Sequence, residues 1–381
     1  MQCLIKEDLN QTGLTLKTNY GEPVVGINDV KIKVLNASVC GTDKSIFLSN
    51  TNQGIREEML RYTTNKNEYK PIVIGHEFCG IVEEIGAGVN KENFASLVPQ
   101  IERGDYVTAE MHLNCGSCNL CASGQAHICT HVLVKGVHLD GCFADKVVVP
   151  HQNIIMLGKG GHTKLGPPKI GSMLDAFGNA VHCVSKVNLA GKTVAVLGLG
   201  PLGLMTIILA KQFGASRIYA TETTDIDRRF ALANEFGASH CFDVSKGTNE
   251  FYQTVLKQER KSMGVDCVFE MSGSPYAYND AFNVVCNGGK VILLGISRAP
   301  LQNFDIAKNI IWKGVNVEGI FGRVMYSTWT LMLNLLESSG DTIIPKLEKI
   351  LSSKTYTLSE YNEAFDKLVT GAEMKLTFSL N

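Results

Sequence analysis

TVAVLGLGPLGLMTIILAKQFGASRIYATE, residues 193–222, decides the fold. Residues 193–197 are a β-branched, apolar run of the kind that forms a buried strand. Gly198-Leu199-Gly200-Pro201-Leu202-Gly203 follows as a tight turn. An apolar segment of helix length runs to about residue 213 and stops at Gly214. A second strand, 217–220, leads to an acid, Glu222. In the order strand, glycine turn, helix, strand, acid, each glycine has a task. Gly198 makes the turn, Gly200 lets the backbone approach a pyrophosphate, and Gly203 packs helix on strand. Amides at the helix start face phosphates. The acid falls where it accepts hydrogen bonds from an adenosine ribose, and its charge repels a 2′-phosphate, which favours NAD over NADP. The bland alternative is a glycine turn in an α/β sheet that binds nothing.

Downstream, strands and helices keep alternating. Helices are expected at 227–235 and 276–285, and strands at 266–270 and 290–294, with Gly288-Gly289 turning the second helix into the last strand. This pattern predicts an α/β coenzyme domain, a doubly wound parallel sheet (Rossmann) covered on both faces. Upstream the chain is β-rich. Residues 30–39 alternate, with Val30, Ile32, Val34 and Asn36 on one side, and deliver Cys40-Gly41-Thr42-Asp43 to a loop. Short strands at 72–74 and 79–85 flank Gly75-His76-Glu77, where Gly75 and Gly80 permit a bend. Polar insertions at 47–71 and 89–104 read as a lid, an interface segment or a solvated loop, with a short helix at 56–62. A Gly/Pro-rich stretch, 157–171, marks a boundary. Asp175 lies in the first turn of a helix over 173–187. The end supplies helices at 329–337 and 358–370 and a strand at 374–380.

With 381 residues, the chain suits two domains. Thirty-six Lys and Arg balance 37 Asp and Glu, a net charge of −1, which offers no reason to expect nucleic acid or an anionic membrane as partner. No apolar run approaches a membrane span, and the start, MQCLIKEDLN, lacks a signal-peptide core. A cytoplasmic protein is expected. In such a chain the 12 cysteines favour metal over disulfides.

Cys115, Cys118, Cys121 and Cys129 have the spacing of a closed tetrahedral zinc site on a loop. A reduced or disulfide-bonded cluster is the alternative. A ferredoxin-type cluster fits less well, because no proline follows Cys129. Cys40, His76, Glu77 and Asp175 come from separated segments, each at the edge of a predicted element, and their types are zinc-ligand types. Alone, His76-Glu77 is an ordinary polar pair. Beside Cys40 and a dinucleotide fold it points to a catalytic zinc. Oxidising an alcohol by hydride loss requires its hydroxyl to lose a proton, and a Lewis acid lowers that pKa. Thr42 can take the proton. Asp175 binds the metal directly or stands behind it.

Cys40-Gly-Thr-Asp43, Gly75-His-Glu77, the four-cysteine lobe and the glycine turn at 198–203 resemble the zinc-dependent medium-chain alcohol dehydrogenases over nearly the whole chain. Within that family, Glu110-Met-His112, the Asp175-Ala-Phe-Gly-Asn-Ala-Val-His182 run, Glu270-Met-Ser-Gly273 and Gly319-Ile-Phe-Gly-Arg323 look most like the L-threonine 3-dehydrogenases. The resemblance implies a catalytic zinc at Cys40, His76 and Glu77, with Asp175 as a fourth ligand or close helper, and a structural zinc at the four cysteines. It implies NAD contacts at Leu202, Glu222, Arg229 (or Arg228), Leu294, Gly295, Ile296, Ile320 and Phe321. It implies a GroES-like catalytic domain at 1–170, with 321–381 returning to it, a Rossmann domain at 171–320, and a homotetramer. The implied reaction is hydride transfer from a secondary alcohol to NAD, L-threonine going to L-2-amino-3-ketobutyrate. The family pattern has a relay histidine two places after Asp43. Ser45 stands there, and serine cannot hold a proton near neutral pH; relay through Ser45 and a water is the substitute. His112 and Arg323 are candidates for threonine's charged groups. A polyol, cyclitol or other amino alcohol is the rival substrate. A nucleotide-holding protein without turnover is the rival class, against which the intact ligand set argues.

Overall fold

A computed structural model describes residues 1–62, 69–89, 100–163, 165–259, 263–297 and 299–380. Residues 63–68 and 90–99, within the two polar insertions, lie outside the described residues. The chain divides into two compact units, Met1–Ala176 with Val324–Asn381, and Phe177–Arg323.

The second unit is a six-stranded sheet. Its strands are β1 (Thr193–Leu197), β2 (Arg217–Glu222), β3 (His240–Asp243), β4 (Val265–Glu270), β5 (Val285–Leu293) and β6 (Asn316–Gly319), and every neighbouring pair is parallel. They lie in the order β3-β2-β1-β4-β5-β6. The order reverses between β1 and β4, the place where such sheets take ligands beyond the strands' carboxyl ends. Helices α1 (Pro201–Gln212), α2 (Ile226–Phe236), α3 (Asn249–Gln258) and α4 (Pro275–Val284) connect successive strands as far as β5. Val194, Ala195, Val196 and Leu197 are wholly buried, as a strand covered on both faces requires. One detail departs from expectation. The fifth strand begins directly after α4, and Cys286–Gly289 is absorbed as an irregularity between the pairs Val265↔Val285 and Cys267↔Lys290. Gly288, at φ +72°, supplies the left-handed step.

The first unit is antiparallel. Its larger sheet runs Ile154–Gly158, Tyr106–Ala109, Glu77–Ile85, Asp29–Ser38, Thr377–Ser379, with Lys146–Pro150 also paired to Asp29–Ser38. A smaller one joins Thr15–Lys17, Cys3–Lys6 and Ile72–Val73. Val30, Ile32 and Val34 are buried in alternation, and Phe78, Val82, Val147 and Phe378 share their core. The register places the site. Ser38 pairs with Glu77 on one side and with Thr377 on the other. The segments carrying Cys40, His76-Glu77 and Lys375 therefore meet at one end of this sheet.

Three elements differ from their sequence patterns. Cys40-Gly41-Thr42-Asp43 is not a loop: a helix, Gly41–Phe47, begins directly after Cys40. It is too short to show apolar periodicity. Its start is stabilised by Asp43, whose carboxylate accepts the Cys40 N–H at 2.8 Å. The helix in the 47–71 insertion is Gln53–Met59, and Asn52 caps it through the Ile55 N–H. The helix expected at 329–337 continues as Ser327–Ile350, bending at Ser339 (φ −138°). Gly340 and Pro345 look like breakers in the sequence, but buried Ile343, Leu347 and Ile350 recur at helical spacing and hold the second half against the core. Among the described residues no helix is long and apolar enough to cross a membrane.

Candidate active site

Gly75 sets the backbone at the first donor pair. Its φ is +92°, and a Cβ there would lie 2.2 Å from the Phe143 ring. No other residue allows this bend, and the bend turns His76 and Glu77 toward Cys40. Ligand atoms of Cys40, His76 and Glu77 lie within 4.8 Å of one another. His76, Glu77 and Asp175 are buried, and Asp175 is the second residue of the helix Leu174–Ser185. Asp43, fully buried, joins two of the donors: one oxygen takes the Cys40 N–H and the other faces His76 Nδ1 at 3.5 Å.

Lys375, 3 % exposed, donates to Glu77 Oε2. Burial pushes the Glu77 carboxyl up from its ordinary range, with Lys375 opposing. Burial also disfavours the Lys375 ammonium, but Glu77 and then Cys40 hold its pKa above the usual value. For His76, burial is likewise outweighed by Asp43 and Cys40, and its pKa lies well above the ordinary one. Each shift reports the same condition, a buried site rich in negative donors. Glu77 Oε1 is buried with no hydrogen-bond partner among the described residues. A thiolate, an imidazole and an orphaned carboxylate oxygen in one buried place fit a zinc ion.

The second cluster fits by a different measure. Zinc–sulfur bonds of about 2.3 Å in a tetrahedron put sulfurs about 3.8 Å apart. The Sγ atoms lie at 3.5 Å (Cys118–Cys121, Cys115–Cys129), 3.8 Å (Cys118–Cys129) and 3.9 Å (Cys115–Cys121). All twelve cysteines are free thiols, which removes the disulfide alternative. Backbone N–H groups of Cys115 and His131 point at Cys129 Sγ, at 3.5 and 3.3 Å, as they do toward thiolates. N–H and hydroxyl donors of Ser117, then the Cys118 N–H, bring the Cys115 thiol down to about 5.

In the nucleotide unit the three glycines separate as their spacing predicts. Gly198 has φ +94°. A Cβ on Gly203 would meet the Gly198 carbonyl at 1.9 Å, so helix and turn are in contact there. A Cβ on Gly200 would meet nothing within 4 Å, which leaves open space beside the backbone. Leu202 is the second residue of α1, whose first amides have no partner within the helix. Glu222 ends β2 as a hub. Its Oε2 accepts from the Leu199 N–H at 2.9 Å and from Arg229 at 2.6 Å, and its Oε1 from the N–H groups of Thr223 and Thr224 at 2.7 and 3.2 Å. Arg229 is one of its partners. Leu294, Gly295 and Ile296 follow β5. Ile320 and Phe321 follow β6, where the Ile320 N–H bonds to Leu293 O at 2.9 Å.

Thr42 and Ser45 lie on the helix Gly41–Phe47, and the Ser45 hydroxyl donates to Gly41 O at 3.1 Å. His112 Nδ1 is 2.7 Å from Glu110, whose other oxygen takes the Trp329 indole N–H at 2.8 Å. Arg323 donates to Asn179 Oδ1 at 3.2 Å in the nucleotide unit. Sequence reasoning missed two residues, the linking role of Asp43 and the whole of Lys375. An acid three places after Cys40 was a signal for the first. Nothing local signals the second.

A family model described as the alcohol dehydrogenase GroES-like domain matches residues 26–159, and one described as zinc-binding dehydrogenase matches 201–338. The chain is 36% identical to the L-threonine 3-dehydrogenase of Caldanaerobacter subterraneus subsp. tengcongensis over 352 residues, 92% of this chain and 90% of that protein. It is 34% identical to that of Bacillus subtilis over 371 residues, 97% and 96% of the two chains. In fold it is similar to the alcohol dehydrogenase TADH from Thermus sp. ATN1 (TM-score 0.81, 24% identity, 100% of both chains). It is also similar to the 2R,3R-butanediol dehydrogenase from Bacillus subtilis (TM-score 0.80, 24%, 100% and 99%). A GroES-like unit, a Rossmann unit and two zinc-type donor clusters thus stand in one chain, which belongs to the zinc-dependent medium-chain alcohol dehydrogenases and is an oxidoreductase.

Proposed function

We propose that the protein oxidises the 3-hydroxyl of L-threonine with NAD, forming L-2-amino-3-ketobutyrate. The observation that carries the reading is the buried meeting of Cys40, His76 and Glu77 with an orphaned carboxylate oxygen among them. The relatives named L-threonine 3-dehydrogenase, matched over nine-tenths of the chain, support the substrate.

Cys40, His76 and Glu77, with Asp175 beside them, would hold the catalytic zinc, and the four cysteines a structural one. Zinc supplies Lewis-acid stabilisation of an alkoxide, and NAD supplies the hydride acceptor. The residues do the rest. Asp43 fixes Cys40 and His76 relative to each other. Thr42 receives the hydroxyl proton. Ser45 relays it with a water, its hydroxyl turning from Gly41 O so that it gives up its own hydrogen as it accepts another. Glu110 orients His112, which can bond threonine's carboxylate. Glu222 receives the adenosine ribose by exchanging one of its present partners, with Thr224 the longest of the backbone donors. Gly198, Gly200, Leu202 and Gly203 take the pyrophosphate, Arg229 frames the adenosine end, and 294–296 with 320–321 line the nicotinamide end.

The protein would work in the cytoplasm, to which twelve unpaired cysteines are suited. It would work as a homotetramer. Among the described residues β6 is an edge strand of its sheet, and this edge, with Ile311, Trp312 and Val317 exposed near it, suits contact with a second copy. Light scattering after size exclusion checks the assembly.

The deciding assay is NADH formation across L-threonine, 3-hydroxy acids, sorbitol and inositols. Turnover of threonine above the rest is expected. Activity on polyols alone overturns the substrate, and no turnover by a zinc- and NAD-loaded protein overturns the enzyme reading. The second reading is a polyol, cyclitol or other amino alcohol as substrate, since Ser45 departs from the histidine of the family pattern.

A further inference from the structure

Lys375 has no part in the chemistry so far, yet its ammonium is buried beside the donors. Burying such a charge is costly unless an opposite charge answers it. The answer is Glu77 Oε2. The other oxygen, Oε1, is buried and has no hydrogen-bond partner among the described residues. Strand register creates the arrangement, since Glu77 and Thr377 flank Ser38 from opposite sides. We infer that Lys375 is a positioning residue that divides the Glu77 carboxylate, holding Oε2 and leaving Oε1 as the one oxygen offered to the catalytic zinc. This inference rests on the metal reading above.

The charges sharpen it. The Cys40 thiolate and the Asp43, Glu77 and Asp175 carboxylates carry four negative charges against the two of a zinc ion. Lys375 reduces the excess from two to one. Without it the site is more strongly negative. A cation is then held more tightly, while an anionic alkoxide is less welcome. A lysine with a packing role alone has the opposite signature, because its loss loosens the fold and the metal together.

The test uses the full chain, zinc-loaded, with Lys375→Met, which keeps the length and removes the charge. Zinc retention is measured against a competing chelator, with Cys40→Ser identifying which zinc belongs to this site. Lys375→Met should hold that zinc roughly tenfold more tightly while kcat falls about tenfold and the KM for NAD stays unchanged. Lys375→Arg, which keeps the charge, should restore zinc affinity to within about threefold of wild type. Zinc held equally or more weakly by a folded Lys375→Met protein overturns the inference. If that variant does not fold, as judged by circular dichroism, Lys375→Gln carries the same test with the same expected direction. A wild-type chain holding one zinc rather than two overturns the metal reading itself, and this inference with it.

Discussion

The nucleotide unit and the catalytic unit solve the same problem, placing a few polar groups accurately, in opposite ways. The nucleotide unit is one continuous segment, Phe177–Arg323, and its turn, helix start and acid come from a single stretch of 30 residues, 193–222. The catalytic unit is built from both chain ends, and its donors run from Cys40 to Lys375. Within the catalytic unit the contrast recurs. The four cysteines sit in one short, largely exposed loop, whereas the Cys40 site is buried and assembled by strand pairing. Local sites close on themselves: four sulfurs at tetrahedral spacing leave no room for a substrate. The assembled site has mixed donors, unequal charges and a carboxylate shared with a lysine, which suits a metal that must exchange ligands.

That contrast can be broken by experiment. The largest effect is expected at Cys40→Ser, where turnover should fall by roughly three orders of magnitude, about 4 kcal/mol. Its zinc content should drop from two to one and its thermal midpoint should barely move. A collapsed protein would show that the two metal sites are not separable. Cys118→Ser comes next. It should remove the other zinc and strip hydrogen-exchange protection from residues 115–129, destabilising the first unit by several kcal/mol while the Rossmann sheet keeps its protection. Equal loss of protection in both units would end the claim that this site is local.

In the nucleotide unit, Gly203→Ala forces a methyl against the Gly198 carbonyl. It should cost about 2 kcal/mol of stability and weaken NAD, read by denaturant titration and fluorescence binding. Glu222→Ala should raise the NAD dissociation constant about tenfold and relax rejection of NADP. Unchanged affinity for both would remove that carboxylate from the ribose site. The smallest effect is expected at Ser45→Ala. A principal acid–base group is worth about 10²–10⁴-fold, whereas this hydroxyl, bonded to Gly41 O, should be worth less than about tenfold in kcat. A loss above a hundredfold would make Ser45 the main relay.

Much of the fold was legible because both of its periods are short. Residues 193–197 read as a buried strand, 30–39 as an alternating one, and the glycine turn as a turn, since each depends on neighbours within a few positions. The helix Gly41–Phe47 was not legible, being shorter than two apolar repeats. The second half of Ser327–Ile350 was hidden by Gly340 and Pro345, whose local preference lost to packing of Ile343, Leu347 and Ile350.

The sequence by itself determined the chemistry on offer: residue types that are zinc ligands, a glycine turn open on one side of its backbone, and an acid at the end of the strand that follows. These follow from residue type and spacing. Tertiary structure alone decided who shares what. It set Asp43 between Cys40 and His76, brought Arg229 onto Glu222, and brought Lys375 to Glu77 from the far end of the chain. The reason is physical. Covalent spacing governs groups within a turn or a strand, but partners drawn from different segments are set by hydrogen-bond register and by the need to answer each buried charge.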